Sequence, residues 1–126
     1  MEKIHFEQAK LWLQASENIG NTDNKEAYAV GIAMAVHAII KANDALTLKF
    51  MNITARRHDD ARRLFEDLVK KGFVKAQYSN YKDIIQDAIN QKVKAEYRGG
   101  YFSKSDYQEM KRKAEKFIAM VGGIIG

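Results

Sequence analysis

From Ala27 to Ile40 the chain reads AYAVGIAMAVHAII, with no formal charge and one strongly polar side chain, His37. A helix apolar on every side has to be covered on every side, so the run predicts the central rod of a helical bundle. It is shorter than the about 20 apolar residues that a membrane span needs. Beyond Lys41 the pattern continues through Ala45, Leu46, Leu48 and Phe50, which lengthens the rod.

The remaining pattern predicts four more helices. A first runs from about Ile4 to Asn18, with Phe6, Ala9, Leu11, Trp12, Leu13 and Ala15 apolar and Ile19-Gly20 as its stop. Asp23, with Glu26 three residues on, reads as a capping-box start for the rod. Thr54 to His58 turns into a third helix whose first turn carries Asp59 and Asp60, where the helix dipole favours negative charge. Its apolar stripe is Ala61, Leu64, Phe65, Leu68 and Val69, and Gly72 after Lys70-Lys71 ends it. A fourth starts near Ser79-Asn80, buries Tyr81, Ile84, Ile85, Ala88, Ile89, Val93, Ala95 and Tyr97, and stops at Gly99-Gly100. Ser105 with Gln108 forms a second capping box, opening a fifth helix through Met110, Ala114, Phe117, Ile118 and Val121. Short loops place such helices antiparallel. The expectation is an all-α, up-and-down antiparallel bundle of about five helices, one domain over residues 1–126. The glycine-broken end over 119–126 is expected to fray or to pack into a subunit interface.

Composition narrows the chemistry. The 126 residues include no cysteine, which removes disulfides, thiolate metal sites and cysteine nucleophiles. No proline is present either, so turns rest on glycine and caps. The start, Met1 to Phe6, lacks an apolar signal core, and a cytoplasmic protein without a membrane contact is expected. A net charge of +5 and a pI near 9.4 favour an anionic partner, although the sixteen acidic residues are interspersed with the basic ones.

Candidate chemistry is sparse. No serine-triad elbow, phosphate loop or dinucleotide fingerprint occurs, and no two histidines share a metal-ligand spacing. No catalytic residue, metal or cofactor is assigned. His5 is expected to be exposed. His37 is either a buried neutral imidazole with one hydrogen bond or a polar group lining a cleft or dimer seam. Arg56, Arg57 and His58 stand where the third helix begins, a place that attracts phosphate, unless Asp59 and Asp60 already fill that role. Asp44 is placed to fold back on His58 or Arg57 and tie the turn. Lys92, Lys94, Tyr97, Arg98, Tyr101 and Phe102 interleave cations with aromatics, a composition suited to single-stranded RNA or nucleotide, or simply to packing a helix end.

Two stretches carry a family likeness. One is Ala35-Val-His-Ala-Ile-Ile-Lys-Ala-Asn-Asp-Ala-Leu46 followed by Arg56-Arg-His58 and Ala61; the other is Lys94-Ala-Glu-Tyr97 through Phe102-Ser103, then Ala114-Glu-Lys-Phe-Ile118. Together they resemble the small HEPN-domain proteins of bacteria and archaea. The resemblance implies a five-helix bundle that commonly dimerises and often accompanies a minimal nucleotidyltransferase in toxin–antitoxin pairs. Many relatives of that kind are metal-independent RNases with Arg, four to six residues, then His on the fourth main helix. This chain has no arginine at that distance before any histidine; with Tyr97 aligned on the motif tyrosine, Asn90 replaces the arginine and Ala95 the histidine. The reading is therefore a non-catalytic homodimer that binds a nucleotidyltransferase partner, nucleotide or RNA, with Asp44, Arg56, Arg57, His58, Lys94, Tyr97 and Arg98 as ligand contacts. The alternatives are an RNase toxin using His58 with Arg56 or Arg57, and a purely structural bundle.

Overall fold

Five α-helices pack around the apolar rod. The computed structural model describes residues 1–97 and 101–126. The helices are α1 (Glu2–Gly20), α2 (Lys25–Met51), α3 (Asp60–Lys70), α4 (Lys82–Tyr97) and α5 (Lys104–Ile125), with a 3-10 turn over Ala76–Tyr81 ahead of α4. No strand occurs among the described residues. The rod is α2, and it touches all four other helices. Its Ile32, Val36, Ile39 and Leu46 are fully buried with Phe65 of α3, Ile85 of α4 and Phe117 of α5. Phe65 and Phe117 meet with ring centroids 5.8 Å apart.

Small residues set the tightest seam. At Gly31 an added Cβ would lie 2.7 Å from the Tyr107 ring, and at Gly20 it would overlap that ring. Tyr107 thus occupies the space that two missing side chains leave between α1 and α2. Its hydroxyl donates to the Ser16 carbonyl at 2.8 Å, and the Ser16 hydroxyl donates to the Gly31 carbonyl at 2.6 Å. Three helices are fixed at one level. Because Tyr107 opens α5 beside the start of α2, while Gly122 meets Phe6 near the start of α1, α5 runs along α2 in the same sense and opposes α1.

Several local expectations need correction. The rod is not covered on every side: Val30 is 45% exposed, and Met34, His37 and Lys41, at helical spacing beyond it, are only half-buried. Length does not exclude a span, since α2 has 27 residues and is, among the described residues, the one helix long and apolar enough to cross a membrane. Two thirds of its most apolar window (67%) is nevertheless buried in the bundle. Asn24, not Asp23, caps α2, accepting from the Glu26 and Ala27 amides; the Asp23 carboxylate is taken by the Tyr28 hydroxyl. The capping box of α5 is Ser103 with Asp106, two residues before Ser105-Gln108. Buried Phe102 and Tyr107 stand at the staple positions around that box and fix the chain's entry. The C-terminal stretch stays helical through Ile125 instead of fraying, with Ile124 and Ile125 half-buried. Gly72 does end the third helical segment, at φ +82°.

Candidate functional site

The open strip of α2 lies between α1 and α4, and His37 is at its middle. Trp12 of α1 stacks on the His37 ring, centroids 4.9 Å apart and planes 22° apart. On the other side His58 meets His37 edge-on at 5.9 Å. The three rings form a continuous string across the surface. It joins a shallow depression of about 440 Å³ lined by Gln8, Leu11, Trp12 and Lys41 to one of about 320 Å³ lined by His58, Asp59, Ile89, Lys92 and Val93.

His58 is held there by two polar residues inside the rod. Asn43, fully buried, donates to the Ala61 carbonyl at 3.0 Å and pins the first turn of α3. Asp44 accepts from the Ala55 amide at 3.3 Å and pins the loop before it. His58 lies between these two anchors, so the loop has little choice but to present it to His37. A polar pair inside an apolar rod is costly unless partnered, and Asn43 is satisfied only through its amide N–H, its Oδ1 being buried without a partner among the described residues. Burial raises the Asp44 carboxyl above the ordinary aspartate value, against the opposing pull of the Ala55 amide, His5 and Lys41.

The electrostatics of the strip favour neutral imidazoles. Burial is the main cause lowering both His37 and His58 below the usual histidine range; the Lys92 ammonium comes next, and His58 is also disfavoured by His37. Glu96 opposes the shift at both, and its carboxylate pairs with Lys92 at 3.1 Å. Neither histidine ring makes a hydrogen bond among the described residues, which leaves their nitrogens available. Lys41 has no carboxylate within 4 Å among those residues. An indole and two neutral imidazoles between two ammonium groups can stack on a flat ring and hold a phosphate beside it. Among the described residues no three His, Asp or Glu side chains gather to hold a metal ion.

Residues 3–124, nearly the whole chain, match the family model of the HEPN domain. The chain belongs to the HEPN domain family. No curated protein matches it. In this HEPN chain Asn90 is exposed and accepts from the Gln86 amide at 3.1 Å, and Ala95 has no functional group to offer. The imidazoles come instead from α2 and from the loop before α3.

The sequence-derived contacts scatter. His58 joins the strip, but Arg56 and Arg57 point away as exposed side chains, so the three do not form one phosphate cradle at the start of α3. Asp44 ties the turn, through the Ala55 amide and not through His58 or Arg57. Lys94 sits over the Phe102 ring, 4.7 Å from its centroid, with Phe102 buried. The Tyr97 side chain, Arg98 and the Gly99-Gly100 stop lie outside the described residues. His5 is half-buried, not exposed, and its Nδ1 is buried without a partner among the described residues. Sequence reasoning missed Trp12, Lys41 and Asn43. A period signal was present for Trp12: Gln8, Leu11 and Trp12 share one helix face, and a tryptophan beside exposed neighbours is worth marking.

Proposed function

We propose that this HEPN module is a non-catalytic homodimer that binds RNA or a nucleotide across the Trp12–His37–His58 string, as a toxin–antitoxin-type component alongside a nucleotidyltransferase partner. The observation that carries the reading is the string itself, three stacked or edge-on rings flanked by Lys41 and Lys92 on an uncovered strip of the central helix. Rings accept bases with little sequence preference, and the cations follow the backbone. Leu11, 63% exposed, and Val93, 38% exposed, flank the string and give a second copy apolar surface to cover.

Titration of a short single-stranded RNA at two salt concentrations tests the site. Affinity is expected to fall with salt, and to drop about tenfold in Trp12→Ala, the scale of one lost base stack. Equal affinity in that variant overturns the reading. Sedimentation showing a monomer at micromolar concentration removes the homodimer.

A second reading is favoured by the pairing of the histidines. One neutral imidazole could take the 2′-hydroxyl proton of RNA while the other, protonated, gives one to the leaving 5′-oxygen, with Lys92 at the phosphate. Both imidazoles are depressed, however, so the acid partner is scarce at neutral pH, and binding without turnover is the better match. RNA cleavage by the wild type that is lost in His58→Ala would reverse that order.

A further inference from the structure

The ring string has two ends, and each opens on a depression of its own. Trp12 and His37 lie face to face with planes 22° apart, so no base fits between them. Trp12, still 37% exposed, lines the depression of about 440 Å³ with Gln8, Leu11 and Lys41. At the other end His58 meets His37 edge-on and lines the depression of about 320 Å³ with Asp59, Ile89, Lys92 and Val93. The two share no lining residue. Each reaches the size at which small-ligand pockets begin, about 300 Å³.

The walls of the two depressions differ in a way that orients a ligand. The first offers an indole, a leucine, a carboxamide and one ammonium, with no carboxylate among its lining residues. A base lies against Trp12 there, and its phosphate turns to Lys41. The second carries the Asp59 carboxylate beside His58, and that charge repels a phosphate from its side. A base edge that donates to Asp59, as an exocyclic amine does, fits there instead. Its phosphate goes to Lys92, which holds Glu96 at 3.1 Å and has three donors to share. Each depression thus suits one base and one phosphate of its own. The rings between them are spaced 4.9 and 5.9 Å centre to centre. A stacked strand advances about 3.4 Å per nucleotide, so roughly three nucleotides follow that path.

We propose that the site takes a strand of about three or more nucleotides, with one base in each depression and the ring string spanned between them, in preference to a single nucleotide. The proposal rests on the RNA reading above and sharpens it from RNA or nucleotide to oligonucleotide. Linking the two bases makes the second contact intramolecular, so affinity rises with length by more than the number of bases on offer. A tetranucleotide that used one pocket alone would gain at most about fourfold over a mononucleotide, because it brings four bases to a single place.

Calorimetric titration of the full chain with a nucleoside monophosphate and with single-stranded RNA of two, three, four and six nucleotides tests it. Affinity is expected to step up by at least about thirtyfold from mononucleotide to tetranucleotide and to level off beyond. In Trp12→Ala and in His58→Ala, where one pocket is left, the step should shrink to about fourfold or less. His58→Phe keeps a ring at the second end and should keep most of the step; circular dichroism checks that all three variants fold. A mononucleotide that binds as tightly as the tetranucleotide overturns the proposal, as does a wild-type step of about fourfold or less. So does a full step that survives in His58→Ala, or one lost equally in His58→Phe. A step that appears only when sedimentation shows two chains pairing also overturns it, since the two bases would then sit on different copies. RNA that binds through Trp12 with no length step sinks this inference and spares the RNA reading, whereas no binding at any length sinks both.

Discussion

Two regions of α2 are built on opposite terms. Where the rod faces α1 and α5, Gly20 and Gly31 surrender their side chains to Tyr107, and every polar atom of Ser16 and Tyr107 in the seam is used. Where it faces solvent between α1 and α4, Trp12, His37 and His58 touch by their rings alone and leave their nitrogens free. The first arrangement maximises contact and satisfies polarity, so it resists change. The second keeps unsatisfied donors and acceptors at a wet surface, where a ligand can complete them at no prior cost to folding. One helix serves both ends because its apolar character continues through the open strip, and only His37 and Lys41 mark that strip as different.

The largest effect is expected at the seam. Gly20→Ala or Gly31→Ala forces a Cβ into the Tyr107 ring, and each should lower stability by about 3 kcal/mol, the upper part of the range for overpacking. Chemical denaturation measures this. Gly123→Ala, where a Cβ meets open space, serves as the contrast and should gain up to about 1 kcal/mol from helix propensity. Equal effects at the seam and at Gly123 would mean that the seam is looser than its geometry indicates.

Asp44 comes next, since it holds the loop that presents His58. Asp44→Ala leaves the Ala55 amide unpaired and should cost about 2 kcal/mol. Asp44→Asn keeps an acceptor and removes a charge that burial disfavours. Because the folded state raises this carboxyl, the folded chain holds the proton more tightly than the unfolded one, and stability from this group declines as pH rises above the ordinary value of 3.8. At neutral pH Asp44→Asn should therefore match or exceed the wild type, and its advantage should shrink on acidification. A loss in Asp44→Asn as large as in Asp44→Ala would show that the charge itself, facing His5 and Lys41, is what the loop needs.

The histidines carry the opposite sign. His37 and His58 are held below the ordinary value of 6.5, so the unfolded chain binds more protons, and their contribution is lost as pH falls through 6.5 toward the depressed values. His5, also lowered by burial, acts in the same direction. His37→Phe keeps a ring under Trp12 and should flatten the fall in stability between pH 7 and 5. A wild-type slope retained in that variant would assign the titration to other groups.

The sequence carried the fold further than the site, for a physical reason. Burial leaves a periodic trace, so the charge-free run, the stripe of α3 and the core residues of α5 could all be read from spacing. The site depends on which surfaces meet across the chain. Trp12 and His37 are distant in sequence, and nothing local says that their rings stack. The sequence sets His58 beside two arginines, its neighbours in the chain, whereas in space its neighbour is His37. Asn43 shows the same limit: a polar residue in an apolar rod announces that it needs a partner, but not that the partner is the Ala61 carbonyl. Caps slipped by small steps, from Asp23 to Asn24 and from Ser105 to Ser103, because several Ser, Asp and Asn residues compete at each helix start.

The smallest effect is expected at those arginines, and it is the sharpest test of where the site lies. Arg56 and Arg57 are exposed, and the contact made by Arg57 to Asp60 runs through its backbone amide, which a side-chain change leaves intact. Arg56→Ala and Arg57→Ala should each change stability by less than about 0.5 kcal/mol. On RNA they can act only as distant cations, reducing the salt dependence by at most about one phosphate contact while leaving the stacking rings in place. If instead either variant weakens RNA binding more than Trp12→Ala does, the ligand sits at the start of α3, where the chain order suggested it. The ring string would then be a packing feature of the strip and not its purpose.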